Sequence, residues 1–353
     1  MGLLFPLSYG TRGFIFIGDT TDNIQTKIME FAPKFNWAQY NASQTREKLI
    51  FMRLLRELCD LVSNPSKRVD PKAIPMKDVV FGLALRVYSN YSLRRFMSDL
   101  KLAKEANYIN REYHFNTMSD HMNHRHLKAI LIELIEVSCL PLRQVEQYFA
   151  ADATGFSCAR FGRWFDVRTQ KDSKKRIWRK CHAVCGVLTN VVTSVEITQG
   201  NVHDSTQFQD LIENTSKNFN IKELSADKAY SSRDNMGCVV QVGGIPYIPF
   251  KSNASGKSGG SLIWGQMYKK FQTQQEDFMK HYHKRSNIES VWAMIKARFG
   301  NNLRSKNETS QDNEILLKVL CHNLCVLVQE LFMRNIDINF LACTKNQVVR
   351  TKG

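Results

Sequence analysis

The chain has 353 residues, with 49 Lys and Arg against 33 Asp and Glu and a formal net charge of +16; the pI is about 9.4. It is 43% hydrophobic and 10% aromatic, which excludes a wholly disordered chain, and its length suits two domains. So basic a balance fits a polyanionic partner, nucleic acid or an anionic membrane. The membrane is disfavoured, because no apolar run reaches the roughly 18 residues of a span. Nine cysteines without regular spacing read as reduced thiols in a cytoplasmic protein.

In chain order, residues 1–33 carry only a short candidate strand, Phe14–Ile17, and are otherwise an unassigned extension. Leu49, Met52, Leu55, Leu58 and Val62 recur at helical spacing between Ser43 and Val62. Asn64-Pro65-Ser66 and Pro71 to Pro75 break that pattern. Residues 76–150 read as short helices, one of them Leu127–Val137, completing an all-α region over 34–150 that bears Arg94 and Arg95. The texture changes at 150. Strands are expected at Ala151–Thr154, His182–Leu188, Val191–Ile197, Glu223–Ala226 and Ile245–Phe250. Helices are expected at Asp204–Lys217 and Ser232–Val242. Lys251–Ser261 is rich in Gly and Ser and predicts a mobile loop. A long helix, Phe271–Phe299, and an apolar closing helix, Asn313–Phe332, follow. The whole is a mixed α/β domain over 151–335, with 336–353 as a tail.

Three acids stand where that strand order would collect them. Asp152 lies on the first strand, Asp227 at the carboxyl end of the fourth, and Glu289 on the long helix. Ligand sites in α/β sheets favour the carboxyl ends of strands. Three carboxylates from separate elements offer the hard oxygen ligands that a pair of Mg²⁺ ions requires. On the helix, Tyr282, Arg285, Glu289 and Lys296 are three, four and seven residues apart. At about 100° per residue they fall within roughly 60° of one another. Ile288, Val291, Trp292, Ile295 and Phe299 make a separate apolar stripe, about 90° away, that faces the core. An acid aligned with a phenol and two cations has the makings of a metal ligand among phosphate contacts.

The series Tyr282-x2-Arg285-x3-Glu289-x6-Lys296 resembles the Tyr-Arg-Glu-Lys signature of prokaryotic insertion-sequence DDE transposases. Asp152-Ala-Thr154-Gly is similar to their first-Asp motif and Ala226-Asp-Lys-Ala-Tyr-Ser231 to their second. Asn201-Val-His-Asp204 and His322-Asn323 also resemble family segments, so five motifs occur in order over roughly 76–335. The short interval between Asp227 and Glu289 leaves no room for the large β insertion of some relatives. The resemblance implies an RNase H-like catalytic domain with a five-stranded mixed sheet and flanking helices, preceded by helices for DNA binding or dimerisation. It implies cut-and-paste transposition by two-metal phosphoryl transfer. Asp152, Asp227 and Glu289 would hold two Mg²⁺ ions, or Mn²⁺ in their place. Tyr282, Arg285 and Lys296 would grip phosphates of the transposon end. The partners implied are double-stranded DNA, as terminal inverted repeats and as target, and a second protomer in a synaptic homodimer associated with the nucleoid.

Other features carry weaker readings. Arg160 to Lys180 holds nine cations against Asp166 and Asp172, interleaved with aromatics; it reads as a DNA-contacting hairpin through Arg163, Lys174, Lys175 and Arg176. Arg94 and Arg95 suit a helix-turn-helix, without a turn signature to fix it. Asp204 suits either an N-cap or, with His203, a pair that orients the site. Two Cys-His-x-x-Cys runs, 181–185 and 321–325, sit in a strand and a helix and read as buried thiols, not zinc sites. Gly256-Lys-Ser258 lacks the earlier Gly of a phosphate loop. Trp264 and His322-Asn323 read as packing residues. Two alternatives stand beside the transposase: a related metal-dependent nuclease, and an inactive or domesticated DNA-binding protein.

Overall fold

The computed structural model describes residues 36–62, 73–158, 178–257 and 259–348. The Phe14–Ile17 strand, the 64–66 break and the basic side chains Arg163, Lys174, Lys175 and Arg176 lie outside the described residues.

The first helix, α1 (Trp37–Cys59), starts where Asn36 accepts from the Gln39 amide. It buries Phe51, Leu54, Leu55 and Leu58. Leu49, which fits the same spacing, points outward at 71% exposure. α2 (Met76–Ser89) is mostly apolar and buried on all sides from Val79 to Val87, as a core helix should be. It ends on Asn90 in the left-handed conformation, φ 54°. α3 (Leu93–Glu105), α4 (Phe115–Met122) and α5 (Arg125–Cys139) complete the helical region.

The sheet contains β1 (Tyr148–Ser157), β2 (Trp178–Gly186), β3 (Val192–Gln199), β4 (Glu223–Ala226) and β5 (Ile245–Tyr247). Their order is β3-β2-β1-β4-β5. β1 to β3 pair antiparallel, whereas β4 and β5 join β1 in parallel. An antiparallel meander followed by two parallel crossover strands is the RNase H-like sheet. The crossovers are α6 (Phe208–Ser216), entered through a tight turn at Asp204–Gln207, and α7 (Arg233–Gln241).

The expected long helix is several pieces. α8 (Leu262–Thr273) and α9 (Gln275–Tyr282) meet at Gln274, whose φ of −134° and ψ of 48° break the helix. A 3₁₀ turn, His283–Arg285, then leads into α10 (Ser286–Phe299). The backbone at Tyr282, Arg285 and Ser286 keeps right-handed helical angles, so the signature residues retain nearly their helical phase. Gly300, at φ 82°, stops α10.

α11 (Glu308–Met333) packs against α1, α2, α5 and β3. Helical region and sheet thereby share one continuous apolar core. By length and composition α11 is apolar enough to cross a membrane, contrary to the reading that no stretch of the chain is. Most of its apolar window is buried inside the protein, the position of a core helix. α12 (Phe340–Val348), in the segment expected to be a tail, contacts the 140–142 turn.

Candidate active site

The strand register builds the centre of the site. Ala151 of β1 lies beside Ala226 of β4, and the next residues on the two strands are Asp152 and Asp227. Side chains alternate along a strand, so Asp152, Thr154 and Phe156 share a face. That face is met by α10. The Lys296 ammonium donates to Thr154 Oγ1 at 2.5 Å and lies 5.5 Å from the Phe156 ring centroid. Beyond Gly300 the chain is stitched to the end of β1, Ser157 N–H donating to the Asn301 carbonyl and Leu303 N–H to that of Ser157.

The other end of the signature segment is tied to β4. The Glu223 carboxylate receives His281 Nδ1 at 2.8 Å and Lys284 Nζ at 2.6 Å, and Ser225 Oγ donates to the His281 carbonyl. Hydrogen bonds and charge from Lys284 and His281 hold the Glu223 carboxyl below its ordinary range, against its partial burial. Lys284 also lies 4.0 Å from the Tyr148 ring centroid. These anchors were not read from the sequence. Glu223, His281 and Lys284 carried no motif, and only the fold brings them together.

Between the two attachments Arg285 reaches inward. Its guanidinium donates to Glu289 Oε1 at 2.5 Å and stands 3.9 Å from Asp152 Oδ2, with the Tyr282 ring centroid 5.9 Å away. Asp152, Glu289, Arg285 and Tyr282 are thus assembled as one group. Asp227 is half-buried, and its carboxylate accepts the Lys228 amide at 2.6 Å. Burial pushes the Asp152 carboxyl up to about 6. The Ala153 amide and Arg285 oppose that rise, and Glu289 and Asp227 add to it. The three acids therefore feel one another's charge. The Tyr230 hydroxyl is buried in the same field; burial, then Asp152, Asp204 and Asp227, push its ionisation upward.

The donor set fits a divalent cation: carboxylate oxygens only, one of them desolvated, in a field that a cation would relieve. Among the described residues, no three His, Cys, Asp or Glu side chains already stand close enough to hold an ion together. The Arg285 guanidinium stands 2.5 Å from Glu289 Oε1 and 3.9 Å from Asp152 Oδ2.

The remaining predicted residues fall as follows. Asp204 accepts from Lys180 Nζ at 2.8 Å and lies 3.6 Å from His182 Nδ1; the cap on Ser205 N–H is His203. His182 is fully buried and its burial lowers its pKa to about 4. His322 Nε2 meets the Asn190 carbonyl, and Asn323 brackets Val192 by donating to its carbonyl and accepting its amide. Trp264 is 7% exposed and donates to the Ser255 carbonyl, a core residue. Cys181, Cys185 and Cys321 are buried. Burial drives the Cys181 and Cys185 thiols well above their ordinary range.

A family model described as the transposase DDE domain matches residues 143–324, just over half of the chain. A cryo-EM structure of a piggyBac transposase synaptic complex with hairpin DNA is similar at a TM-score of 0.38 and 9% identity, over 86% of this chain and 78% of that one; a likeness so loose fixes neither fold nor function. The matched segment begins just before β1 and closes within α11, so it contains the sheet, Asp152, Asp227 and the whole signature helix. The chain belongs to the transposase DDE domain family.

Proposed function

We propose that the protein is a cut-and-paste DNA transposase, which hydrolyses phosphodiesters at the ends of its own element and joins those ends to target DNA. The observation that supports this reading is the placement of Asp152 and Asp227 on adjacent parallel strands, with Glu289 on α10, which is tied to β1 through Lys296 and preceded by a His281–Lys284 segment tied to β4. Two divalent ions held by Asp152, Asp227 and Glu289, Mg²⁺ or Mn²⁺, would activate the attacking oxygen and stabilise the leaving one.

The chain's own residues supply the rest. Asp152 is set deeper than Glu289, with its side chain 21% exposed against 56%. It forms the floor of the site, and Glu289 closes it from the solvent side. Arg285 lies within reach of both acids, and a phosphate drawn onto them places its negative charge beside that guanidinium. Lys296, held by Thr154, and Tyr282 flank the same surface. No serine or cysteine nucleophile is required, because water and then a DNA hydroxyl attack. The net charge of +16 favours duplex DNA as the partner, and joining two ends favours two protomers.

The test is incubation of the protein with a plasmid carrying its gene and flanking DNA, in Mg²⁺ and in EDTA, beside Asp227→Asn. Discrete breaks at both flanks, needing metal and Asp227, are the expected result. Tight, salt-sensitive binding without metal-dependent breaks would instead favour a non-catalytic DNA-binding protein, and breaks without joining a nuclease.

A further inference from the structure

The Gly/Ser-rich segment Lys251–Ser261, expected to be a mobile loop, makes specific contacts on both sides of Ser258, which lies outside the described residues. Phe250 packs edge-on against Trp264 and Tyr268, with ring centroids 4.8 and 5.1 Å apart. The Trp264 indole donates to the Ser255 carbonyl and the Tyr268 hydroxyl to that of Ala254. Arg233, the first residue of α7, donates to the Lys257 carbonyl, stacks 5.0 Å from the Trp264 ring centroid, and lies against Gly259. A Cβ at Gly259 would meet that guanidinium at 3.0 Å, and its φ is +52°. The loop is therefore built around Arg233 and Trp264, and composition alone shows neither contact.

Its position matters. β5 runs parallel to β4, with Tyr247 beside Ser225. The chain leaves the sheet two residues later in register, at the level of Asp227. The loop thus lies at the carboxyl edge, on the β5 side of the acids. The helical region packs through α5 and α11 toward β3, the opposite edge. Lys251 and Lys257 are exposed, and among the described residues neither has an ion-pair partner. Ser252, Asn253, Ser255, Gly256, Gly259 and Gly260, between and beside them, are exposed as well.

We infer that this loop is a second duplex-phosphate contact, gripping DNA that runs from the helical region across the acids toward the β5 edge. The inference deepens the transposase reading and rests on it for the direction of the DNA. Two cations about six residues apart on a side-chain-poor loop suit neighbouring phosphates of one strand. The nearby glycines let the backbone approach the DNA closely.

The test measures binding to a short duplex of arbitrary sequence across a salt series, using the full chain. Lys251→Ala/Lys257→Ala should lower the slope of log K against log salt by about 1.8, or 0.9 per phosphate lost, with an unchanged melting temperature. An exposed pair at the amino end of the sheet, Lys217→Ala/Lys222→Ala, should leave the slope as it is. An unchanged slope in the loop variant would overturn the inference, as would equal flattening by the control pair, which would make the effect one of net charge. The readout needs no cleavage. Absence of metal-dependent breaks would sink the transposase reading, while the slope would still decide whether the loop touches DNA.

Discussion

Lys318 offers a sharp test of how the site is framed. Its side chain is 2% exposed, and its ammonium donates to the Gly300 carbonyl at 2.8 Å and to that of Asn302 at 3.2 Å. It lies 3.8 Å from the Glu314 carboxylate, itself 3% exposed, and 5.3 Å from the Phe156 ring centroid. Glu314 in turn accepts the amides of Arg304 and Ser305 and the Ser305 hydroxyl. The pair fixes the turn after α10, which is hydrogen-bonded to the end of β1. Lys318→Met keeps the volume but takes the ion-pair partner from a buried carboxylate, leaving it the more distant charge of Arg86, and leaves two carbonyls without donors. Breaking a buried pair from one side costs about 3–5 kcal/mol. The backbone donors retained by Glu314 favour the lower half of that range, and the carbonyls, at about 1–3 kcal/mol each, restore the upper half. The urea unfolding midpoint, read by tryptophan fluorescence, should fall by the equivalent of about 3–5 kcal/mol. Glu314→Gln in the same chain should recover part of the loss, because the unpaired charge is gone. A loss below about 1 kcal/mol for Lys318→Met would refute the reasoning.

Other predictions concern the site and the core. Glu289→Gln should abolish cleavage at the gene flanks while leaving DNA affinity within a few-fold by gel shift; loss of both would remove Glu289 from the ligand set. Arg285→Ala should weaken DNA binding and reduce its salt slope by about 0.9, and a slope equal to that of the wild type would exclude the phosphate contact. Burial lowers the His322 pKa from 6.5 to about 4, so between those values the unfolded chain binds the extra proton. Its contribution to stability is complete above pH 6.5 and is lost as the pH falls toward 4, by at most about 3 kcal/mol. Unfolding free energy should therefore fall less steeply over that window in His322→Gln than in the wild type; parallel curves would contradict the assignment.

What the sequence could show was local. The strand at Glu223–Ala226 was legible to the residue, because a short apolar run ends at an acid and a turn. The spacing of Tyr282, Arg285, Glu289 and Lys296 was legible as one face: Arg285 stands beside Asp152, Lys296 donates to Thr154 on the same face of β1, and Glu289 and Tyr282 gather around Arg285. The break at Gln274 was not legible, since the flanking residues contain no Pro or Gly and the periodicity runs through them. Leu49 matched a core stripe and faces solvent, because α11 covers α1 from one side only. The contacts of Arg233 and Trp264 with the Lys251–Ser261 loop were not legible, because composition cannot see side chains reaching it from separate helices. Glu223 with His281 and Lys284, or Lys318 with the turn at Gly300, depend on contacts across long separations in the chain, and no local pattern announces them.

The claim at the centre is that Asp227 ligates the metal, and replacing its oxygen ligand by sulfur tests that most directly. Asp227→Cys should be inactive on the gene-flank plasmid in Mg²⁺, which prefers hard oxygen donors, and should regain cleavage in Mn²⁺, which tolerates thiolate better. Full activity of the variant in Mg²⁺, or no recovery in Mn²⁺ by a variant that still folds and binds DNA, would contradict the account.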